Sequence, residues 1–571
     1  MLPAEIQRIV LLICLAATGY LLILAWNGDM QDARDGEFYA AEPAIVASQS
    51  AVDYASDDVP AAVDPLVPGD DIPALPSAAF PEDGFVKSIP TRNSDRLITV
   101  TTPSLKVWID REGGDVVRVL LPKFPVEIDR PEVPFVLLDQ SQQRTYIAQS
   151  GLIGADGTDR SGQRPLYRSD KANFRIDRGE TEVVLRANIA GNPVEKIFRF
   201  RADEYLVDVE YRVTNNKPTD FIAGMFTQIK RDSRAPGLDE SIPLAPQPFF
   251  GGATTTPENR YEKVDFDDLD EGPISFTQEG GWMAFLQHYF LSAWVPPSDE
   301  QNRFEASRSR DGNYLFRTIG QAKKIAPGEV GRWQAGFYAG PKDQIRLEEI
   351  APNLNMTVDY GFLWWIAEPL FKVLNYFHSV TGNWGLSIIL LTLLVKAALY
   401  WVSAKGYRSM ANMRRVAPAM KRIQERYAND REKLSREMMA LYKKEGANPL
   451  GSCLPMLLPM PIFLALYWVL LESVELRQAP FVFWINDLAA MDPYFILPLL
   501  MGASTYLMQS LNPQVGDPMQ VKIMKMMPIM FTVLFLFFPA GLVLYWLVNN
   551  LLSIAQQTFV YRQVEKARDN G

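Results

Sequence analysis

Few of the residue types that do covalent chemistry are present in this chain. His288 and His378 are its only histidines, and Cys14 and Cys453 its only cysteines, each in or beside an apolar run. That leaves no disulfide framework, no thiolate zinc site and no cofactor or metal to expect. It also removes most Ser/His and Cys/His arrangements. No GxxxxGK[ST] loop occurs, and no buried Asp/Glu chain or membrane Asp pair, so a nucleotide-driven pump, a proton-coupled carrier and an aspartyl intramembrane protease are excluded. Gly385-Leu386-Ser387 lacks a following glycine and is a chance match to a serine-nucleophile motif.

One charged group does stand out. Lys396 lies inside the apolar run from Asn383 to Tyr400, nine residues before Lys405. At the helical rise that separation is about 13 Å. A lysine at mid-bilayer costs roughly 2.5–3.5 kcal/mol, less if it snorkels, so it calls for a wet cavity, a partner or a path to the membrane surface. No Asp or Glu lies within the apolar stretch of another span; Glu472 and Glu475 fall at the end of one. Thr392 sits one turn before Lys396, and Asn549, Asn550, Ser553, Gln556 and Gln557 give the last apolar run a polar side. These groups line a hydrophilic groove or make ordinary hydrogen bonds between helices.

The elements that must position this lysine are read from charge and periodicity. The chain is 48% hydrophobic with net charge −10, which argues against direct nucleic-acid binding but must be read segment by segment. Residues 1–26 contain an apolar run, Ile9 to Trp26, long enough to cross a bilayer, behind Arg8. Leu24-Ala25-Trp26 is a poor cleavage site, so an uncleaved anchor is expected rather than a signal peptide. Residues 27–86 hold thirteen Asp/Glu against Arg34 alone, with seven prolines, the composition of an unfolded tether.

Residues 87–353 change to strand periodicity. Tyr205, Val207, Val209, Tyr211 and Val213 alternate with polar positions. Leu105, Val107 and Ile109 lead through Gly113-Gly114 to Val117, Val119 and Leu121, the pattern of a hairpin. A large antiparallel β-sandwich follows from such segments. Residues 354–380 mix Trp364, Trp365 and Phe371 with Glu368 and Lys372, which suits a helix lying at the membrane surface or one capping the sandwich. Five further spans are expected, at about 383–403, 454–471, 493–511, 526–539 and 541–560, making six with the first. Ala404 to Ser452 carries twelve Lys/Arg against five Asp/Glu. By the positive-inside rule it is cytoplasmic, as are both termini, and the sandwich is periplasmic.

Within this basic segment, residues 404–452, the spacing predicts a helical hairpin broken near Asn429. Met410, Met413 and Met420 recur on one helical face beside Arg414 and Arg415, and Met438 and Leu441 on the other arm. The methionines offer a pliable surface to varied apolar segments, or the two arms pack together.

Several motifs together resemble the YidC/Oxa/Alb family of membrane protein insertases, Gram-negative branch. They are Gly382-Asn383-Trp384-Gly385, Met438 to Tyr442, Asn448-Pro449-Leu450-Gly451, Cys453-Leu454-Pro455, Met460 to Tyr467, Ser473 to Phe481, and Phe538 to Trp546. The resemblance spans about residues 361–561, and Gly281 to Phe285 with Gln287 to Phe290 extends it to the sandwich. It implies an energy-independent insertase and chaperone, not an enzyme, in the bacterial inner membrane. Five of the six transmembrane helices (residues 381–403 and 453–561) would form its core, with a short tail at 562–571. It implies as partners nascent inner-membrane proteins, including ATP-synthase and respiratory subunits, the Sec translocon, membrane lipids and, weakly, the ribosome. Carried onto this sequence, the client groove is Lys396, Thr392, Met460, Phe463, Tyr545 and Trp546. Lys396 stands where the family usually has arginine, keeping the charge without the bidentate fork. Pro459 replaces a groove glutamine. The rival reading is a lipid or glycan transporter with a sugar-binding sandwich.

Overall fold

Tyr205, Val207, Val209, Tyr211 and Val213 are all buried on one face of the strand Leu206–Thr214 and its approach, as their alternation demands. The same holds for the hairpin. Val107 faces Val119 across the strands Lys106–Asp110 and Val116–Pro125, and Gly113 and Gly114 turn between them at φ +73° and +66°. These positions come from a computed structural model that describes residues 96–141, 144–159, 164–234, 248–427, 430–445, 459–511 and 518–569. The expected anchor and tether, both cysteines and the Asn448 to Gly451 motif lie outside the described residues. So does the first part of the 454–471 span.

The chain divides into two compact units, the second beginning at Asp359. The first is made of two sheets. An eleven-stranded sheet runs Ile274–Glu279, Gln301–Arg308, Tyr314–Gly320, Phe221–Arg231, Thr145–Ile153, Pro134–Gln140, Val116–Pro125, Lys106–Asp110, Leu97–Thr101 and Asn173–Arg175, with Lys323–Ile325 also paired to Phe221–Arg231. An eight-stranded sheet runs Glu262–Val264, Gly251–Thr254, Met283–Leu286, Phe290–Val295, Val330–Pro341, Leu206–Thr214, Asn192–Arg201 and Glu180–Ile189. Neighbours are antiparallel except Leu97–Thr101 with Asn173–Arg175. The sheets are tied face to face by hydrogen bonds. Trp294 Nε1 donates to Gln228 O (3.0 Å), Trp333 Nε1 to Ala223 O (3.1 Å), and Tyr146 Oη pairs with Ser292 Oγ (2.7 Å). Large indoles and phenols thus fill the core and satisfy their polar ends within it.

A group of charges is also buried here. Arg164 is paired with Asp115 and with Asp159, and Lys196, fully buried, donates to Gly113 O (2.9 Å) and Ser150 O (3.2 Å). Burial pushes the Lys196 ammonium down to about 7 and pushes the Asp159 carboxyl up. The glycine turn serves this cluster: a Cβ on Gly113 would sit 2.4 Å from Arg164 Nε, and one on Gly114 2.8 Å from Lys196 Cδ.

The second unit is helical: α1 (Trp364–Thr381), α2 (Trp384–Ala398), α3 (Tyr400–Arg426), α4 (Arg431–Glu445), α5 (Met460–Glu472), α6 (Ile496–Ser510), α7 (Pro518–Phe535) and α8 (Ala540–Asp569). The last helix packs against α2, α3, α5 and α6, while α1 lies on α2 and α5. On α1, Ala367, Phe371 and Leu374 are buried, whereas Trp364, Trp365, Tyr376 and Val380 are exposed. Among the described residues no single helix is both long and apolar enough to cross a membrane, but α2 with α3 passes as a bent pair.

One expectation needs correction, and one open alternative is decided. The run 383–403 is not one straight helix: α2 ends at Ala398 and α3 departs at 68°. Leu399 keeps its own bond back to Val395 O, but its ψ near 3° swings the next peptide off the helical path, and the chain turns there. Of the two readings of the hairpin methionines, the structure has the one in which the arms pack together. Met413, Val416 and Met420 are buried against Met438, Leu441 and Tyr442 of α4, and Met410 against Tyr407, Val560 and Tyr561. The two arms satisfy each other's apolar faces, which is the cheaper way to remove them from water.

Candidate functional site

The helix α8 is the spine of the site. Trp546 and Ser553 are seven residues apart, two turns, and therefore share a face about 10 Å apart along the axis. At the Trp546 level, Phe463 of α5 meets the indole edge to face, with ring centroids 4.5 Å apart. Tyr545 stacks on Phe463 at 6.3 Å, and Phe535 of α7 closes on Trp546 at 5.2 Å. Met460, one turn before Phe463, is exposed. The indole Nε1–H of Trp546 is buried and has no hydrogen-bond partner among the described residues.

Two turns along, Lys396 of α2 donates from Nζ to Ser553 Oγ at 2.7 Å. The serine in turn donates to Asn549 O at 2.7 Å. The cation is therefore half-buried and held by a hydroxyl rather than a carboxylate. A neutral acceptor orients an ammonium without discharging it, and leaves its other two protons for a further acceptor. Thr392 lies on the same helix face but is buried, and its hydroxyl donates to Ile388 O (2.7 Å) in its own helix. It contributes shape, not a free hydrogen bond.

The remaining polar residues of α8 divide by role. Asn550 is buried and donates to Ser504 Oγ (3.0 Å) and Thr505 Oγ1 (2.8 Å), which fastens α8 to α6. Gln556 reaches Tyr400 O (3.4 Å), just past the bend between α2 and α3. Both are hydrogen bonds between helices, of the ordinary kind. Of the groove residues that the resemblance implied, the structure brings Phe463, Tyr545 and Trp546 together, and beside them stands Phe535, an aromatic in an apolar run without contrast that the sequence did not single out. Ser553 was visible as a break in apolarity, though its tie to Lys396 was not. On the hairpin, Arg414 and Arg415 are exposed, and Arg415 pairs with Glu445 (3.2 Å).

Comparison with known proteins follows the two units. Residues 97–373 match the family model described as the YidC periplasmic domain, and residues 376–567 the one described as 60Kd inner membrane protein. A protein of Saccharophagus degradans, named membrane protein insertase YidC, is 50% identical over 474 residues, covering 83% of this chain and 85% of that one. Another of that name from Azotobacter vinelandii is 45% identical, with 99% of each chain covered. The chain belongs to the YidC family of membrane protein insertases. A solved structure titled as an active YidC insertase with its first transmembrane domain resolved is 17% identical, covers 81% of this chain and 92% of its own, and has a TM-score of 0.37. As a YidC-family protein, the chain is a bacterial inner-membrane insertase and its β unit is the periplasmic domain. The transporter reading is not favoured.

Proposed function

We propose that insertion proceeds along the face of α8 that joins Trp546 to Ser553, with Lys396 as the electrostatic lure and the aromatic group around Phe463 as the sliding surface. The observation that carries this is the Lys396–Ser553 hydrogen bond: a charge paired to a neutral hydroxyl keeps its attraction for a carboxylate. A client's acidic or polar translocated segment would approach the ammonium, shortening its passage through hydrocarbon, while its apolar part exchanges Met460 and Phe463 for lipid. Burial of the client in the bilayer completes the step, with no covalent chemistry and no cofactor.

In this reading the chain has six spans with both termini cytoplasmic, and residues 404–452 form a cytoplasmic hairpin. The twelve Lys/Arg of that segment support the orientation. Clients are nascent inner-membrane proteins, ATP-synthase and respiratory subunits among them. The chain acts alone or beside the Sec translocon, with weak ribosome contact and no direct contact to nucleic acid.

The test is photo-crosslinking from the groove to ribosome-bound nascent membrane proteins. Probes at Met460 and Phe463 should give client adducts, whereas probes at the buried Thr392 and Tyr545 should give far fewer. Insertion that proceeds without adducts at Met460 or Phe463 would sink the groove reading.

A further inference from the structure

The connection from α5 to α6 is clamped to three helix ends. Asn383 Nδ2 donates to Pro480 O (3.3 Å) and Phe481 O (3.2 Å), while its Oδ1 caps α2 by accepting from Leu386 N (2.9 Å). At the start of α8, Ala540 N and Gly541 N donate to Ala490 O (2.7 Å) and Leu488 O (2.9 Å). Asp492, buried, accepts from Leu497 N at the start of α6 (2.7 Å), from Tyr494 N (3.0 Å) and from Trp484 Nε1 (2.9 Å). Phe481 N donates to Ile485 O (2.9 Å), closing the loop on itself. Gly385 makes room for the Phe481 ring, whose Cδ2 lies 2.1 Å from where a Cβ would be.

This rigid frame holds an arrangement that water does not favour. Phe483 is left-handed at φ +57° and 88% exposed, and Val482 beside it is also exposed. Gln478 (φ +58°) and Phe495 (φ +56°) belong to the same connection, so three of the five non-glycine residues with positive φ among the described residues cluster here. A left-handed aromatic residue carries backbone strain, and a bare phenyl ring carries a hydration cost. The ring lies beside Trp484, centroids 6.0 Å apart, and that contact still leaves most of it bare.

We propose that Phe483, with Val482, is a lipid wedge. It enters the headgroup–acyl boundary of the leaflet at this end of the helical unit and fixes the depth at which the unit sits. Lipid rather than protein is the occupant for two reasons. Two side chains make too small a patch for a stable protein interface. The loop is also tied through Asn383 to the end of α1, which presents Trp364, Trp365, Tyr376 and Val380 outward, the aromatic and apolar set that settles at a bilayer interface.

The experiment uses the full chain with Cys14→Ser and Cys453→Ser, carrying Phe483→Cys, Val482→Cys or, as the control, Asn486→Cys at an exposed polar position of the same loop. Each is spin-labelled and reconstituted in phosphatidylethanolamine/phosphatidylglycerol vesicles. Collision with oxygen should exceed collision with a water-soluble nickel chelate at 483 and 482, and the ratio should invert at 486. Nickel dominance at 483 would overturn the proposal, because the ring then faces water. Low collision with both reagents would overturn it equally, because protein then covers the site.

Discussion

Ser553→Ala is the sharpest perturbation of the groove because it removes the acceptor of Lys396 without touching the charge. The bond is 2.7 Å long and charge-assisted, a type that contributes about 1.5–3 kcal/mol. Lys396 is only partly buried, so the lower end applies, and about 1.4 kcal/mol corresponds to a tenfold change. Freed of the serine, the flexible lysine stem can turn toward the membrane surface and the site loses its fixed cation. Insertion of clients with acidic translocated segments into proteoliposomes should therefore slow by up to about tenfold. Clients with neutral segments should insert unchanged. Lys396→Met should impair the same acidic clients, and the double variant should be no worse than Lys396→Met alone, since both changes act on one interaction. Additive losses, or an equal loss for neutral clients, would refute the claim that Ser553 acts by positioning the charge.

Two further outcomes concern the rest of the molecule. Burial holds Lys196 at about 7, below its ordinary 10.5, so between those values the unfolded chain binds more protons than the folded one. Stability of the β unit should rise with pH across that window and be lowest at and below about 7. Thermal unfolding followed by β-sheet circular dichroism should show that slope in the parent and a flatter one in Lys196→Met; identical slopes would discount the buried lysine. In the helical hairpin, Met420 is buried against α4, and Met420→Ala should cost about 2–5 kcal/mol of local packing. Limited trypsin digestion should then cut faster at the arginines of α3 and α4, and unchanged cleavage would mean that the two arms are not held by this seam.

The strand Leu206–Thr214 was legible because one face packs on a core and period-2 alternation follows from that alone. Its other face misleads: Glu210 reads as a solvent residue, yet it is buried between Arg199 and Arg212. Lys196 was illegible for the same reason, since nothing local distinguishes a lysine that closes on carbonyls of distant strands. In the groove, Lys396 was conspicuous by its cost in an apolar run, but its partner lies 157 residues away. The bend at Leu399 left no trace either, because the apolar run passes through it with no proline or glycine. Methionine spacing on α3 describes a stripe equally well whether it meets a client or α4. The strained ring of Phe483 was hidden by its apolar neighbours.

The place of the strand Val330–Pro341 has a consequence for the order in which the protein can be made. It is the last strand of the β unit in sequence, yet it lies inside the eight-stranded sheet, joining Phe290–Val295 on one side to Leu206–Thr214 on the other. Until it has been synthesised, the sheet exists only as two unjoined halves, each with an open edge of unpaired amides and carbonyls. Such long-range closure is slow relative to helix formation. The ribosome must therefore deliver nearly the whole β unit before it can lock, and only about two dozen residues then separate that event from Trp364, where the helical unit begins. An insertase of this design has to close its sheet at nearly the same time as the helical unit that follows is emerging.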